Sequence, residues 1–214
     1  MRCPLCTGFE VSVCFEKTDR KNGKRIYYQC GECALVFMDP AFHLSLPAEK
    51  AVYDLHRNGP ENSGYVRFLK RLADPLSARL PQNACGIDFG CGPGPTLQGI
   101  MENRGFRVYN YDPYYFPETV LLERRYDFIA CTEVIEHFCR PAKSFVLIDR
   151  LLKNSGVFGL MTQLLPQNTA YGEWWYLRDP THVAVYSDNT FSWIGKRMGW
   201  RLEKQENGVV IYSK

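Results

Sequence analysis

An α/β fold, with a mostly parallel sheet closed by an antiparallel C-terminal hairpin, is the architecture the sequence predicts. Three observations point to it. From Ala84 onward, short apolar runs alternate with helical stretches, the pattern that pairs strands in parallel beneath covering helices. The run "CGIDFG" leads straight into "CGPG", a buried strand followed by a glycine turn and a helix start. The tail "WRLEKQENGVVIYSK" sets Asn207 and Gly208 between two strand-like runs, and Asn-Gly is a favoured two-residue hairpin turn.

Residues 1–40 are rich in Cys and read as a short, turn-like, zinc-ribbon-like module ending at "MDP". Residues 41–82 read as a helical connector. There Tyr65, Phe68, Leu69 and Leu72 recur at helical spacing, and Pro75 is expected to break or kink the helix. Residues 83–214 form the α/β domain, opening with the strand "CGIDFG" and a helix from Pro95 to Arg104. Strands are expected at Arg107 to Asp112, Tyr126 to Cys131 and Val157 to Gln163, with a helix from Ala142 to Leu152 before the last. A further helix runs from Ser187 to Met198, where "SDNT" supplies capping residues.

Composition narrows the function classes. A 45% hydrophobic, 23% charged chain is ordinary for a soluble globular protein. A net charge of +3 is weak for a dedicated nucleic-acid binder, and the basic stretch "DRKNGKR" (Asp19 to Arg25) reads first as a solvated loop. The N-terminus "MRCPLC" has no signal-peptide core, and no stretch is long enough to span a membrane. With nine cysteines this points to a reducing, cytoplasmic setting, where thiols are free or metal-bound.

Four of those cysteines have metal-ligand spacing. Cys3 and Cys6 form one C-x-x-C pair, and Cys30 and Cys33 form the second. Two such knuckles complete tetrahedral Zn²⁺ coordination and leave no open position, so the expected zinc is structural. Cys14, Cys85, Cys91, Cys131 and Cys139 fit no such spacing and read as structural thiols.

The loop "GIDFGCGPG" brings Gly90, Gly92 and Gly94 close to a ligand. A dinucleotide fingerprint, G-x-G-x-x-G, would place its third glycine at 95, where this chain has Pro. Asp112 ends the next strand, about where an acidic residue accepts both hydroxyls of a ribose.

The segments "GIDFGCGPG", "YNYDPYY", "YDFIACTEVIEHFCRPAKSF" and "DPTHVAVYSDNTFSWIGKRMGW" resemble class I S-adenosylmethionine-dependent methyltransferases, nearest to the broad family that includes quinol-biosynthesis methyltransferases. The resemblance spans about residues 84–205 and implies a Rossmann-like sheet. It implies that Asp88 and the Gly90, Gly92, Gly94 loop approach the methionine part of the cofactor, and that Asp112 holds the ribose. Pro113 and Tyr114 would lie beside the adenine, with Thr132 and Glu133 beneath the sulfonium. A four-cysteine zinc site ahead of such a domain also resembles some deoxysugar C-methyltransferases and some RNA methyltransferases. About a dozen residues separate Asp112 from Tyr126, so the family's third strand and its helix are expected to be shortened or missing.

Two histidines compete as the base. Glu133, Glu136 and His137 are spaced i, i+3, i+4 and would share one face of a helix. His182 follows the loop "LPQNTAYGEWWYLRDP", whose aromatics suit a flat or apolar acceptor. The leading expectation is methyl transfer from S-adenosylmethionine to an oxygen or carbon of a small molecule. An RNA acceptor gripped by the cysteine module and "DRKNGKR", or a non-catalytic zinc-ribbon docking protein, are the alternatives.

Overall fold

The computed structural model describes residues 1–19, 23–55, 58–166 and 171–214. Along the chain, β1 (Val11–Asp19), β2 (Gly23–Cys30) and β3 (Val36–Met38) precede two helices, α1 (Leu46–Tyr53) and α2 (Ser63–Ser77). Then come β4 (Cys85–Phe89), α3 (Thr96–Glu102), β5 (Arg107–Tyr111), β6 (Tyr126–Thr132), α4 (Pro141–Leu151) and β7 (Leu152–Met161). The chain ends with β8 (Ala184–Val185), α5 (Asp188–Met198), β9 (Arg201–Glu206) and β10 (Val209–Ser213).

The larger sheet has the order β5-β4-β6-β7-β10-β9. Strands β4, β5, β6 and β7 pair in parallel, whereas β10 runs antiparallel to both β7 and β9. The Rossmann-like expectation and its hairpin are therefore met. Helix α2 lays Leu69, Leu72, Ala73 and Leu76 on one face of the sheet, against Phe128, Met161, Val209 and Ile211. Close approach there depends on Gly159, where an added Cβ would lie 3.0 Å from Leu72. Phe158, Phe191, Trp200 and Tyr212 fill the opposite face. Truncating a buried leucine such as Leu72 to Ala would cost about 3 kcal/mol.

Local chemistry sets the helix ends. Ser187 and Thr190 cap α5 reciprocally, and Gly199 closes it at φ 70°, a left-handed conformation suited to glycine. Helix α2 departs from expectation: it continues through Pro75 to Ser77. The proline lies within its last turn, where the sheet contacts of Leu72 and Leu76 hold both sides of it.

The N-terminal region also differs from a set of short turns. Strands β1 and β2 form a long antiparallel hairpin, because "VSVCFEKT" and "KRIYYQC" are rich in β-branched and aromatic residues. This second sheet has the order β1-β2-β3-β8, so its last strand comes from residues 184–185. Between Asp112 and Tyr126 the chain makes a bridge to Phe116 and a 3₁₀ turn at Thr119–Glu123. Among the described residues no strand lies outside β5, which matches the expected loss of a third strand-helix unit. Among the described residues, no helix is long and apolar enough to cross a membrane.

Candidate active site

A cavity of ≈ 440 Å³ opens at the C-terminal ends of β4, β5 and β6, where parallel α/β sheets place their ligand sites. One end is backbone. Gly90 and Cys91 donate N–H groups to the Tyr111 carbonyl at 2.7 and 3.2 Å, tying the glycine loop to the end of β5. Gly90 sits at φ 81°, and a Cβ there would lie 2.6 Å from Val134. Gly92, at φ 65°, has open space where a Cβ would be. Only glycine accommodates both positions without strain.

Asp112 organises this end. Its Oδ2 accepts from Gly92 N–H at 3.1 Å, and its Oδ1 accepts from Tyr114 and Tyr115 N–H at 2.8 and 3.1 Å. Oδ1 is filled by its two N–H donors, whereas Oδ2 keeps lone-pair capacity for a ligand hydroxyl. Behind the loop Asp88 is buried, and its Oδ1 has no partner among the described residues. Burial, helped by the charge of Asp112, pushes its carboxyl up to about 7.

The other end is side chains. After β6 the chain turns at Glu133, whose φ of 52° is left-handed, and enters a 3₁₀ turn at Ile135–His137. The α-helix expected to align Glu133, Glu136 and His137 is thus absent, yet the turn keeps the three together. The Tyr176 hydroxyl reaches both Glu133 and Glu136, and a Glu136 carboxylate oxygen lies within 4.8 Å of a ring nitrogen of both His137 and His182. Glu133 and His137 line the cavity, while Glu136 is buried behind it. There Glu136 accepts from Thr162 Oγ1 at 3.0 Å and from the Tyr176 hydroxyl. Burial and then Glu136 push the Glu133 carboxyl up to about 9, and burial raises Glu136 as well.

The two histidines meet here, with ring centroids 4.9 Å apart. His182 places Nδ1 2.7 Å from the Tyr176 carbonyl, and His137 places Nδ1 3.1 Å from the Thr181 carbonyl. A carbonyl only accepts, so each Nδ1 carries a proton, and Nε2 is the basic nitrogen of whichever ring is neutral. Burial first, then His137, holds His182 below the usual imidazole range. The Tyr176 ring stacks 4.0 Å from His182, and Tyr53 of α1 meets His137 edge-on at 5.2 Å.

Of the residues singled out in the sequence, Gly90, Gly92, Asp112, Pro113, Tyr114, Thr132, Glu133, His137 and His182 all line this cavity. Asp88 and Gly94 are not in the lining. A Cβ on Gly94 would lie 2.4 Å from the Asn58 carbonyl, so its small size serves a chain crossing. Glu49, Tyr53 and Asp179, which the sequence did not mark, and Tyr65 and Phe68, which it marked only as a packing face, complete the walls. Glu49 receives the Tyr114 hydroxyl at 3.1 Å and Asp54 the Tyr115 hydroxyl at 2.7 Å, fastening α1 over the segment after Asp112. Nothing in the helical pattern of residues 41–82 marks that contact.

The four spaced cysteines converge. The Sγ atoms of Cys3, Cys6, Cys30 and Cys33 lie within 4.8 Å of one another, with Cys3 to Cys33 at 3.5 Å and Cys6 to Cys30 at 3.4 Å. Gly8 N–H points at the Cys6 sulfur from 3.3 Å. A tetrahedral ion with metal–sulfur bonds of about 2.3 Å needs sulfurs about 3.8 Å apart, so the set suits one such ion.

A family model described as a methyltransferase domain matches residues 57–205, more than half of the chain. No curated protein matches it significantly. Among solved structures, the chain is similar to a Burkholderia thailandensis 1,6-didemethyltoxoflavin-N1-methyltransferase bound to 1,6-didemethyltoxoflavin and S-adenosylhomocysteine. That likeness has 14% identity and a TM-score of 0.55, covering 92% of this chain and 96% of that one. An O-methyltransferase family protein from the same organism gives 15% identity and 0.53, covering 78% and 59%. The complex of the Haloferax volcanii Trm112 methyltransferase activator with a methyltransferase gives 14% and 0.50, covering 76% and 79%. At these identities the likeness is one of fold.

Proposed function

We propose, from the premise that the chain belongs to the methyltransferase-domain family and is a class I S-adenosylmethionine-dependent methyltransferase, that it methylates an oxygen or carbon of a small-molecule acceptor. The observation that carries this reading is a single cavity with the glycine loop and Asp112 at one end and two imidazoles at the other. Its lining holds aromatic rings and four carboxyl groups, and no Lys or Arg among the described residues. Such walls suit a compact acceptor and repel a polyphosphate chain. The RNA alternative leaned on "DRKNGKR", of which Arg20, Lys21 and Asn22 lie outside the described residues.

S-adenosylmethionine supplies an electrophilic methyl group on a sulfonium. Gly90 and Gly92 would give it bare backbone, and Asp112 Oδ2 would accept from a ribose hydroxyl. The unpartnered Oδ1 of Asp88, buried behind the glycine loop, would accept from the amino-acid end of the donor. Pro113 and Tyr114 border the adenine side, and Thr132 and Glu133 form the floor. At the acceptor end, Nε2 of His182 or His137 takes the proton from the acceptor as it is methylated. Low basicity of buried His182 keeps it unprotonated and ready at neutral pH. Tyr176, Trp175 and Tyr53 exclude water around the reacting atoms.

Residues 1–40 would serve as a module held by a structural Zn²⁺ on Cys3, Cys6, Cys30 and Cys33. Residues 41–82 would act as a connector that roofs the cavity, and residues 83–214 would carry the chemistry. Titration calorimetry should show S-adenosylhomocysteine binding and no NAD binding. Methyl-labelled donor should then label compounds in a low-molecular-weight cell extract, followed by mass spectrometry, and leave total RNA unlabelled. Label in RNA alone would reverse the acceptor assignment.

A further inference from the structure

The cysteine region and the histidine end of the cavity share a sheet. Strand β3 begins three residues after Cys33 and pairs on its far side with β8, Val36 opposite Val185 and Phe37 opposite Ala184. One residue before β8, Val183 uses both of its backbone groups as a bridge. Its carbonyl accepts from Met38 N–H at 2.8 Å, and its N–H donates to the Glu136 carbonyl at 2.9 Å. His182 is the adjacent residue, and both imidazoles hang from carbonyls of the same segment, Tyr176 and Thr181. Side chains repeat the connection, because Tyr27, Val36 and Met38 pack with Tyr176, Leu177, Val183 and Val185 in one buried cluster.

Start of β3 is in turn set by the second knuckle. Ala34 N–H returns to the Cys30 carbonyl, and Cys30 N–H to the Leu35 carbonyl, each at 3.0 Å. The hydrogen bonds of the glycine loop, by contrast, run among β4, β5 and the turn after Asp112. The two ends of the cavity therefore rest mainly on different supports, α1 being the element that touches both, through Glu49 and Tyr53 against Tyr114 and through Tyr53 against His137.

We propose that the four-cysteine module is a positioning element of the acceptor site: through β3 and Val183 it sets the orientation of His182, His137 and Glu136, while donor binding is independent of it. Met38 is the positioning residue: its N–H bonds Val183, and its side chain packs against the cluster of Tyr176, Leu177, Val183 and Val185 that carries the histidine segment. This rests on the methyltransferase reading and on the metal assigned to the four thiols. Distortion of β3 would turn the imidazoles away from the acceptor and let water reach His182. It would leave Gly90, Gly92 and Asp112 in place.

The test compares the full-length protein, the same protein stripped of metal by a chelator, and the variants Met38→Ala and Met38→Leu. Each is titrated with S-adenosylhomocysteine and assayed with methyl-labelled donor on the low-molecular-weight extract. Expected in the stripped protein and in Met38→Ala are donor-product affinity within threefold of wild type and methyl transfer at least tenfold lower. Their pH–rate profiles should also move. His182 faces Glu136, His137, Tyr176 and Asp179, and relaxed packing returns its titration toward the ordinary imidazole range. The rising limb then shifts to higher pH, a change that simple loss of folded protein would not produce. Met38→Leu should restore both rate and profile. Unchanged transfer, a lower rate with an unmoved profile, or affinity lost in step with activity would each overturn the proposal. Absence of S-adenosylhomocysteine binding in the wild-type protein would instead refute the methyltransferase reading itself.

Discussion

At the glycine-loop end the cavity wall is backbone, tied by short hydrogen bonds to neighbouring strands of one sheet and to a single carboxylate. At the histidine end it is side chains, hung from a 3₁₀ turn, from the segment 171–183, and from a second sheet. On the proposed reading, donor recognition is preorganised by local geometry, and acceptor recognition depends also on contacts between distant residues, such as His137 with Thr181, 44 positions apart. The first kind of construction suits a ligand shared across a family, and the second can change its acceptor without disturbing the donor.

Asp112→Ala should break the contrast at its strongest point. Three backbone N–H groups lose their acceptor, which costs roughly 3 kcal/mol of loop order at about 1 kcal/mol per bond. S-adenosylhomocysteine affinity should fall about 100-fold or more, and methyl transfer with it, measured by calorimetry and labelled donor. Retained affinity would show that the loop does not need its carboxylate.

His182→Gln should touch the other end alone. Loss of a positioned base lowers transfer by about 100-fold or more, while S-adenosylhomocysteine affinity stays at the wild-type value. His137→Gln in parallel identifies which imidazole takes the proton, since only removal of the base also abolishes the rising limb of the pH–rate profile. Equal, small effects from both would point to an acceptor that needs no proton removed.

The same contrast governs what was legible in the sequence. Strand, glycine loop and Asp112 lie within 27 positions of one another, from Gly86 to Asp112, and period and turn chemistry find them. Asn207 and Gly208 announced their hairpin for the same reason. The i, i+3, i+4 spacing of Glu133, Glu136 and His137 correctly grouped them but named the wrong element, because Glu133 takes a left-handed φ and the turn that follows is too tight for an α-helix. Tyr53 and Glu49 were hidden because α1 reaches the cavity through tertiary contacts, such as those with Tyr114, Tyr115 and His137. The β3–β8 pairing joins positions 36 and 185, and no local pattern encodes it.

Glu133→Gln probes the floor between the ends through pH. In the wild type the folded carboxyl titrates at about 9, above the 4.5 of an unperturbed glutamate. The fold binds that proton more tightly than the unfolded chain, so its contribution is complete below 4.5 and is lost as pH rises toward 9. Glutamine stays neutral throughout. Unligated Glu133→Gln should therefore be nearly equal to wild type at pH 4 and more stable at pH 8, the difference growing by up to ~1.4 kcal/mol for each pH unit above 4.5, as followed by thermal or urea unfolding. A difference that does not vary with pH would locate the effect in packing.

Gly199→Ala supplies the smallest expected effect and decides whether the other three are specific. Gly199 closes α5 at φ 70° with its N–H on the last turn, and an added Cβ meets nothing within 4 Å. Strain alone should cost about 1 kcal/mol. Helix α5 lines neither end of the cavity, so donor affinity and methyl transfer per folded molecule should both be unchanged. If transfer fell as stability did, the acceptor end would be responding to the marginal stability of the whole fold. The losses in His182→Gln and Met38→Ala would then need correction for that response. If transfer holds, those losses belong to the contacts each substitution removes.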